Sequence, residues 1–140
     1  MNVSRILLPV DGSRPSDAAT DMAISIAQDD NATVVLLHVR RTVPTGLGQP
    51  NADDLLTHLT NEAEAVMEHY RGRLQAAGVD FIDLVVGGDV GETIAEVAQH
   101  EKCELIVMGS KGKSDLEGLI LGSATHKVLH TTALPVMVVK

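Results

Sequence analysis

The chain has 140 residues, enough for one domain with a real core. Apolar residues make up 44% of it, which excludes a disordered chain, and no apolar run approaches the ~20 residues of a membrane span. A net charge of −8 excludes general nucleic-acid binding. A polyanionic ligand would have to be held by local donors against an unfavourable global field.

One cysteine, Cys103, leaves no partner for an intramolecular disulfide and reads as a small buried hydrophobe. The first residues lack the basic, apolar and small-residue regions of a signal peptide. A cytoplasmic location is the simplest expectation. One Phe, one Tyr and no Trp exclude a stacking platform for single strands and count against a flavin site. An adenine ring would have to lie between aliphatic side chains.

The segment 3–10 is apolar and continuous after Arg5, as a strand buried on both faces should be. Asp11-Gly12-Ser13-Arg14-Pro15 turns into a helix, with Ser13 or Arg14 as cap and Pro15 in the first turn. The helix is expected to about Gln28, with Ala19, Met22, Ala23 and Ile26 on one face. Residues 33–39 read as a second buried strand. His38 within it reads as a satisfied core or edge histidine. Residues 41–52 hold two Pro and two Gly and read as a long loop, of the kind that is mobile or functional. A long amphipathic helix over 53–77 ends at Gly78. Strand three follows at 81–86, and Asp89 with Glu92 fits a capping box for a helix reaching His100. Strand four is expected at 104–108, a last helix at 123–131, and a final strand at 136–139, opened by Pro135.

Five strands alternating with four helices predict a single doubly wound α/β domain, a five-stranded parallel sheet of Rossmann-like form. Ligands in such sheets bind at the carboxyl ends of the strands, where strand order reverses. The turns after strands one and four carry the residues that look chemical, and both belong to that edge.

The most informative stretch is Gly109-Ser110-Lys111-Gly112, nine further residues, then Gly122-Ser123-Ala124-Thr125. Glycines at a strand exit allow tight turning and close approach. A hydroxyl-rich helix start offers amides and a dipole to an anion. Gly112-Lys113-Ser114 resembles the end of a P-loop, but that motif needs glycine where Val107 stands. A dinucleotide fingerprint is also absent. Lys111 and Lys113 are candidate phosphate partners, Lys127 a weaker one. Asp11, directly after strand one, is placed to accept hydrogen bonds from ribose hydroxyls. His126 and His130 are spaced to bind metal from one helix face, but no further ligand completes a set. They read as a solvated face.

These pieces resemble the universal stress protein family, in its ATP-binding branch, over the whole chain. The matching residues are Ile6-Leu7-Leu8-Pro9-Val10-Asp11-Gly12-Ser13, Leu37-His38-Val39, the turn Gly88-Asp89, and Ile106-Val107-Met108-Gly109-Ser110-Lys111-Gly112 with Gly122-Ser123. The ending Leu134-Pro135-Val136-Met137-Val138-Val139 matches as well. The resemblance implies an adenine nucleotide hydrolase-like fold that binds ATP. Pro9, Val10 and Asp11 would border base and ribose, and Val39 and Met108 would flank the base. Gly109, Ser110, Lys111, Gly112, Lys113 and Ser114 would wrap the phosphates, faced by Gly122, Ser123, Ala124 and Thr125. Mg²⁺ would be held mainly through phosphate oxygens. Homodimerisation through the strand 136–139 is implied, and so is a regulatory role, a membrane transporter being one possible partner. The competing expectation is a slow ATPase or phosphotransferase, for which Asp115 and His126 are the nearest candidates; otherwise no catalytic residue is expected. Gly109→Val or Gly122→Val is expected to abolish nucleotide binding with the fold kept.

Overall fold

A computed structural model describes residues 1–140. The elements alternate as expected: β1 (Arg5–Pro9), α1 (Arg14–Asp30), β2 (Thr33–Arg40), α2 (Asn51–Ala76), β3 (Phe81–Gly87), α3 (Val90–His100), β4 (Leu105–Gly109), α4 (Ser123–Thr131) and β5 (Val136–Val139). The five strands form one sheet in the order β3-β2-β1-β4-β5, with every pairing parallel. Strand order reverses between β1 and β4, which are hydrogen-bonded neighbours. No helix is long and apolar enough to cross a membrane.

Each face of the sheet has its own core, because successive strand residues point to opposite sides. Ile6, Leu8, Val34, Leu36, Leu105 and Val107 pack with Ala19, Ala23 and Ala27 of α1 and Met67, Tyr70 and Leu74 of α2. Leu7, Val35, Leu37, Ile106 and Met108 pack with Ile94 and Ala98 of α3 and Val128 of α4. This explains the uninterrupted apolar runs of the central strands: a strand covered on both faces has no polar side. Cys103 belongs to the second core, and burial pushes its thiol up to about 11.

Helix ends follow their local chemistry. Ser13 caps α1, its Oγ accepting from the Ser16 amide at 3.2 Å. The helix runs two residues past Gln28, to Asp30, and closes on Asn31 in the left-handed conformation. The start of α2 lies at Asn51, inside the stretch read as loop. Ala52 N–H bonds the Gly48 carbonyl, so the first turn is made by backbone alone. The capping box of α3 is half formed. Asp89 accepts from the Glu92 amide at 3.1 Å, but the Glu92 side chain turns to Lys127 on α4. A cation within 3.2 Å competes successfully with a neutral amide for that carboxylate.

Tyr70, the only tyrosine, is buried, and its hydroxyl donates to Asp17 Oδ1 of α1 at 2.7 Å. Burial, helped by Asp17, pushes the phenol well above its ordinary value. Tyr70→Phe keeps the packing and removes the bond, so a loss of about 1 kcal/mol is expected in urea denaturation.

Candidate functional site

Three segments meet at the carboxyl edge of the sheet. The turn after β1 supplies Asp11, the segment after β4 supplies Lys111 to Asp115, and α4 presents its N-terminus. Together with α3 and the end of β2 they enclose a cleft of about 440 Å³. This size lies within the range of small-molecule sites. The cleft lies at the switch point between β1 and β4, where α/β sheets bind ligands.

The β1 turn reverses at Gly12, whose φ of +85° lies in the left-handed region. This brings Asp11 back over the start of α1. Its Oδ1 accepts from the Ser13 amide and from Ser16 Oγ, both at 3.0 Å. Its Oδ2 crosses the cleft floor to accept from the Lys113 amide at 2.9 Å. Burial works against the charge and is the largest influence. The hydrogen bonds from Ser13, Lys113 and Ser16 together outweigh it and hold the carboxyl below the ordinary aspartate value of 3.8. Asp11 therefore remains ionised and clasps the β1 turn to the β4 segment.

The β4 segment is pinched at its neck. The Ser110 carbonyl accepts from the Gly122 amide at 2.7 Å, and Ser110 N–H bonds the Val139 carbonyl of β5. Thr125, a residue 2% exposed, donates from Oγ1 to the Gly109 carbonyl at 2.9 Å. Thr125→Val leaves that carbonyl without its donor, and a loss of about 1–2 kcal/mol is expected by chemical denaturation.

Of the fifteen expected site residues, thirteen line the cleft: Pro9, Val10, Asp11, Val39, Met108, Gly109, Lys111, Gly112, Lys113, Ser114, Ser123, Ala124 and Thr125. Ser110 and Gly122 do not. They are the two halves of the neck hydrogen bond, and Ser110 is buried beneath it. The reasons for the glycines also differ from expectation. A Cβ on Gly109 would lie 2.6 Å from Pro15 Cβ and 2.8 Å from the Pro15 carbonyl carbon. Gly109 therefore makes room for the first turn of α1, not for a ligand. A Cβ on Gly112 would lie 2.6 Å from Asp11 Oδ2.

Sequence reasoning missed Ser16, Arg41, Val90, Gly91 and Ile94, which also line the cleft. The signal for Gly91 was available. It is the close-approach point of α3 and α4, where a Cβ would meet Lys127 Cβ at 2.7 Å. Lys127 lines the cleft but is paired with Asp89 at 3.1 Å and Glu92 at 3.2 Å. Its hydrogen bonds to Asp89 and then to Glu92 raise its pKa. Lys111 and Lys113 make no ion pair, which leaves two cations available at the cleft.

His38 lies outside the cleft walls and is satisfied by the Val10 carbonyl at 2.8 Å from Nδ1. The rings of His126 and His130 sit 4.5 Å apart, and no group of three metal-ligating side chains exists anywhere in the chain.

The family model for the universal stress protein family matches residues 2–140. A universal stress protein of Thermus aquaticus is 34% identical over 136 residues, covering 96% of this chain and 97% of its own length. Among solved structures, the hypothetical protein MJ0577 of Methanocaldococcus jannaschii superposes with a TM-score of 0.88 at 32% identity, covering 98% of this chain and 95% of its own. A universal stress protein solved in complex with cAMP superposes with a TM-score of 0.78 at 26% identity, covering 100% of this chain and 99% of its own. The match of the family model over almost every residue, on a fold with this strand order and this cleft, identifies the chain as a member of the universal stress protein family.

Proposed function

We propose that the cleft binds an adenine nucleotide, ATP in particular, and that the protein acts as a nucleotide-dependent regulator. The observation that carries this reading is the meeting, at the switch point, of an ionised Asp11, two unpaired lysines and the N-terminus of α4 in one cleft. The complex of a relative with cAMP supports the adenine nucleotide class. Val39, Ile94 and Met108 give the base an aliphatic slot in a site without aromatic side chains. Asp11 accepts from the ribose hydroxyls. The amides of Gly112 and Ser114 and of Ser123 and Ala124, with the side chains of Lys111 and Lys113, take the phosphates.

Asp11, Asp89 and Asp115 are the carboxylates of the cleft, and each already accepts from backbone amides. No dedicated metal cage is present. Mg²⁺ fits this donor set only as an ion carried in on the phosphates, where it neutralises their charge.

The same arrangement favours sensing over turnover. Hydrolysis needs a group that positions water or takes its proton. Asp115 is engaged by backbone donors and His126 does not line the cleft. β5 is a half-buried apolar strand at the sheet edge, and its pairing with a second copy would cover it. A nucleotide-sensitive dimer in the cytoplasm, acting on a partner such as a transporter, is the resulting role.

Calorimetry on nucleotide-free protein tests the binding. ATP with Mg²⁺ is expected to bind at one site per chain and GTP far more weakly. Equal affinity for both, or no heat with any adenine nucleotide, contradicts the reading.

A further inference from the structure

The space between Gly112 and the start of α4 is filled by the protein itself. Asp115 lies in the segment joining β4 to α4, and its half-buried carboxylate turns back into the cleft. Oδ2 accepts from the Gly112 amide at 2.7 Å, and Oδ1 accepts from the Ser123 amide at 3.4 Å. A Cβ on Gly112 would lie 3.6 Å from Oδ2, and one on Gly122 would collide with the same oxygen. An anion thus touches the last two glycines of the G-x2-G-x9-G pattern and the first amide of α4. Those donors are the ones assigned above to phosphate.

We propose that Asp115 is a built-in competitor for the ligand's phosphate: its carboxylate occupies the anion cradle of the ligand-free protein and must leave Gly112 and Ser123 before a phosphoryl group can take them. The proposal rests on the nucleotide reading of the cleft. A carboxylate and a phosphate are like charges, and backbone donors that accommodate one oppose the simultaneous presence of the other. Without Asp115 the amides of Gly112 and Ser123 would stand ready, as a helix N-terminus does for any anion. With it, binding exchanges one anion for another, and affinity is set by the difference. The exit is local. The neck bond between Ser110 and Gly122 lies behind Asp115 and holds both ends of the segment. The stretch that swings out carries Leu116 and Ile120, which are 76% and 78% exposed and belong to neither core.

The test compares wild type, Asp115→Ala and Asp115→Asn by calorimetry with ATP and with adenosine, each in EDTA and in Mg²⁺. Removing a charged acceptor from two amides is expected to tighten ATP binding about tenfold in Asp115→Ala. A smaller gain is expected in Asp115→Asn, which keeps the shape and one acceptor oxygen without the charge. Adenosine affinity is expected to stay constant, because the base and ribose ends of the cleft do not touch Asp115. ATP affinity unchanged or weakened in both variants overturns the proposal while leaving the nucleotide site intact. A loss confined to the Mg²⁺ arm also overturns it, since Asp115 would then be a metal ligand. Equal tightening of adenosine and ATP overturns it too, as a general loosening of the cleft. Absence of binding by all three proteins to both ligands removes the nucleotide reading and the proposal together.

Discussion

Asp11→Ala is expected to weaken ATP binding by about a hundredfold or more. Two hydrogen bonds from ribose hydroxyls to a charged acceptor contribute about 3 kcal/mol together, and each 1.4 kcal/mol is tenfold in affinity. The same substitution also opens the clasp between the β1 turn and the β4 segment, which consists of bonds from the Ser13 amide, Ser16 Oγ and the Lys113 amide. A stability loss of about 2 kcal/mol in urea denaturation is expected to accompany the binding loss. Asp11→Asn separates the two effects. It keeps one acceptor oxygen for the clasp and presents an amide in place of the second, so stability falls less than binding does.

The clasp carries a pH dependence of defined sign. The folded carboxyl titrates below the ordinary 3.8. Its contribution is therefore fully present above that ordinary value and is lost as pH falls through the lower folded value. Wild type is expected to lose stability more steeply than Asp11→Asn over that acid window. Parallel curves for the two proteins would show that Asp11 is not held below its ordinary value.

Gly109→Val is expected to destabilise the fold by about 3 kcal/mol or more, at the upper end of what overpacking costs. The added Cβ enters the first turn of α1, 2.8 Å from the Pro15 carbonyl carbon and 3.0 Å from the Ser16 amide nitrogen. Backbone atoms of a capped helix do not yield as a side-chain tip does. This reverses the expectation that the variant would keep its fold and lose only its ligand. Gly122→Val is similar, since the new side chain meets Lys111 Cα at 2.9 Å as well as Asp115. Gly112→Ala acts on the cleft itself, because its nearest neighbour is the Asp11 carboxylate at 2.6 Å, whose Oδ2 also accepts from the Lys113 amide. A loss of affinity is expected there together with a fall in the urea midpoint smaller than that of Gly109→Val, since a side chain and not a helix backbone must give way. An unfolding midpoint for Gly109→Val equal to that of wild type would contradict the packing argument.

The fold was legible because each local signal agreed with the others. Continuous apolar strands, Ser13 and Asp89 at helix starts, and Gly78 after α2 all point to one alternating topology. That the two chemical turns share the carboxyl edge followed from the alternating pattern, and the pairing of β1 with β4 makes them neighbours; a doubly wound sheet of order 2-1-3-4-5 would have separated them. The start of α2 was not legible, because two glycines and two prolines preceding it in the 41–52 stretch read as loop while backbone bonds from Ala52 and Asp54 to the Gly48 and Pro50 carbonyls already shape the first turn. Nor was the division of labour within the glycine motif. Spacing shows that three positions need close approach, but not what approaches them. At Gly109 it is a helix, at Gly112 a carboxylate, and at Gly122 both backbone and Asp115. Asp115 itself was noticed only as a weak catalytic candidate, because nothing in a linear sequence indicates that a side chain folds back onto its own cradle.

The central claim is that an adenine nucleotide sits between Asp11 and the N-terminus of α4. Backbone amide shifts followed during ATP titration of the labelled, nucleotide-free protein test it most directly. The largest changes are expected at Gly112, Lys113, Ser123 and Ala124, with smaller ones at Val39 and Met108 and none at the far edge around β3. No shift at saturating ATP, or a set of shifts centred away from the β1–β4 edge, would contradict the account.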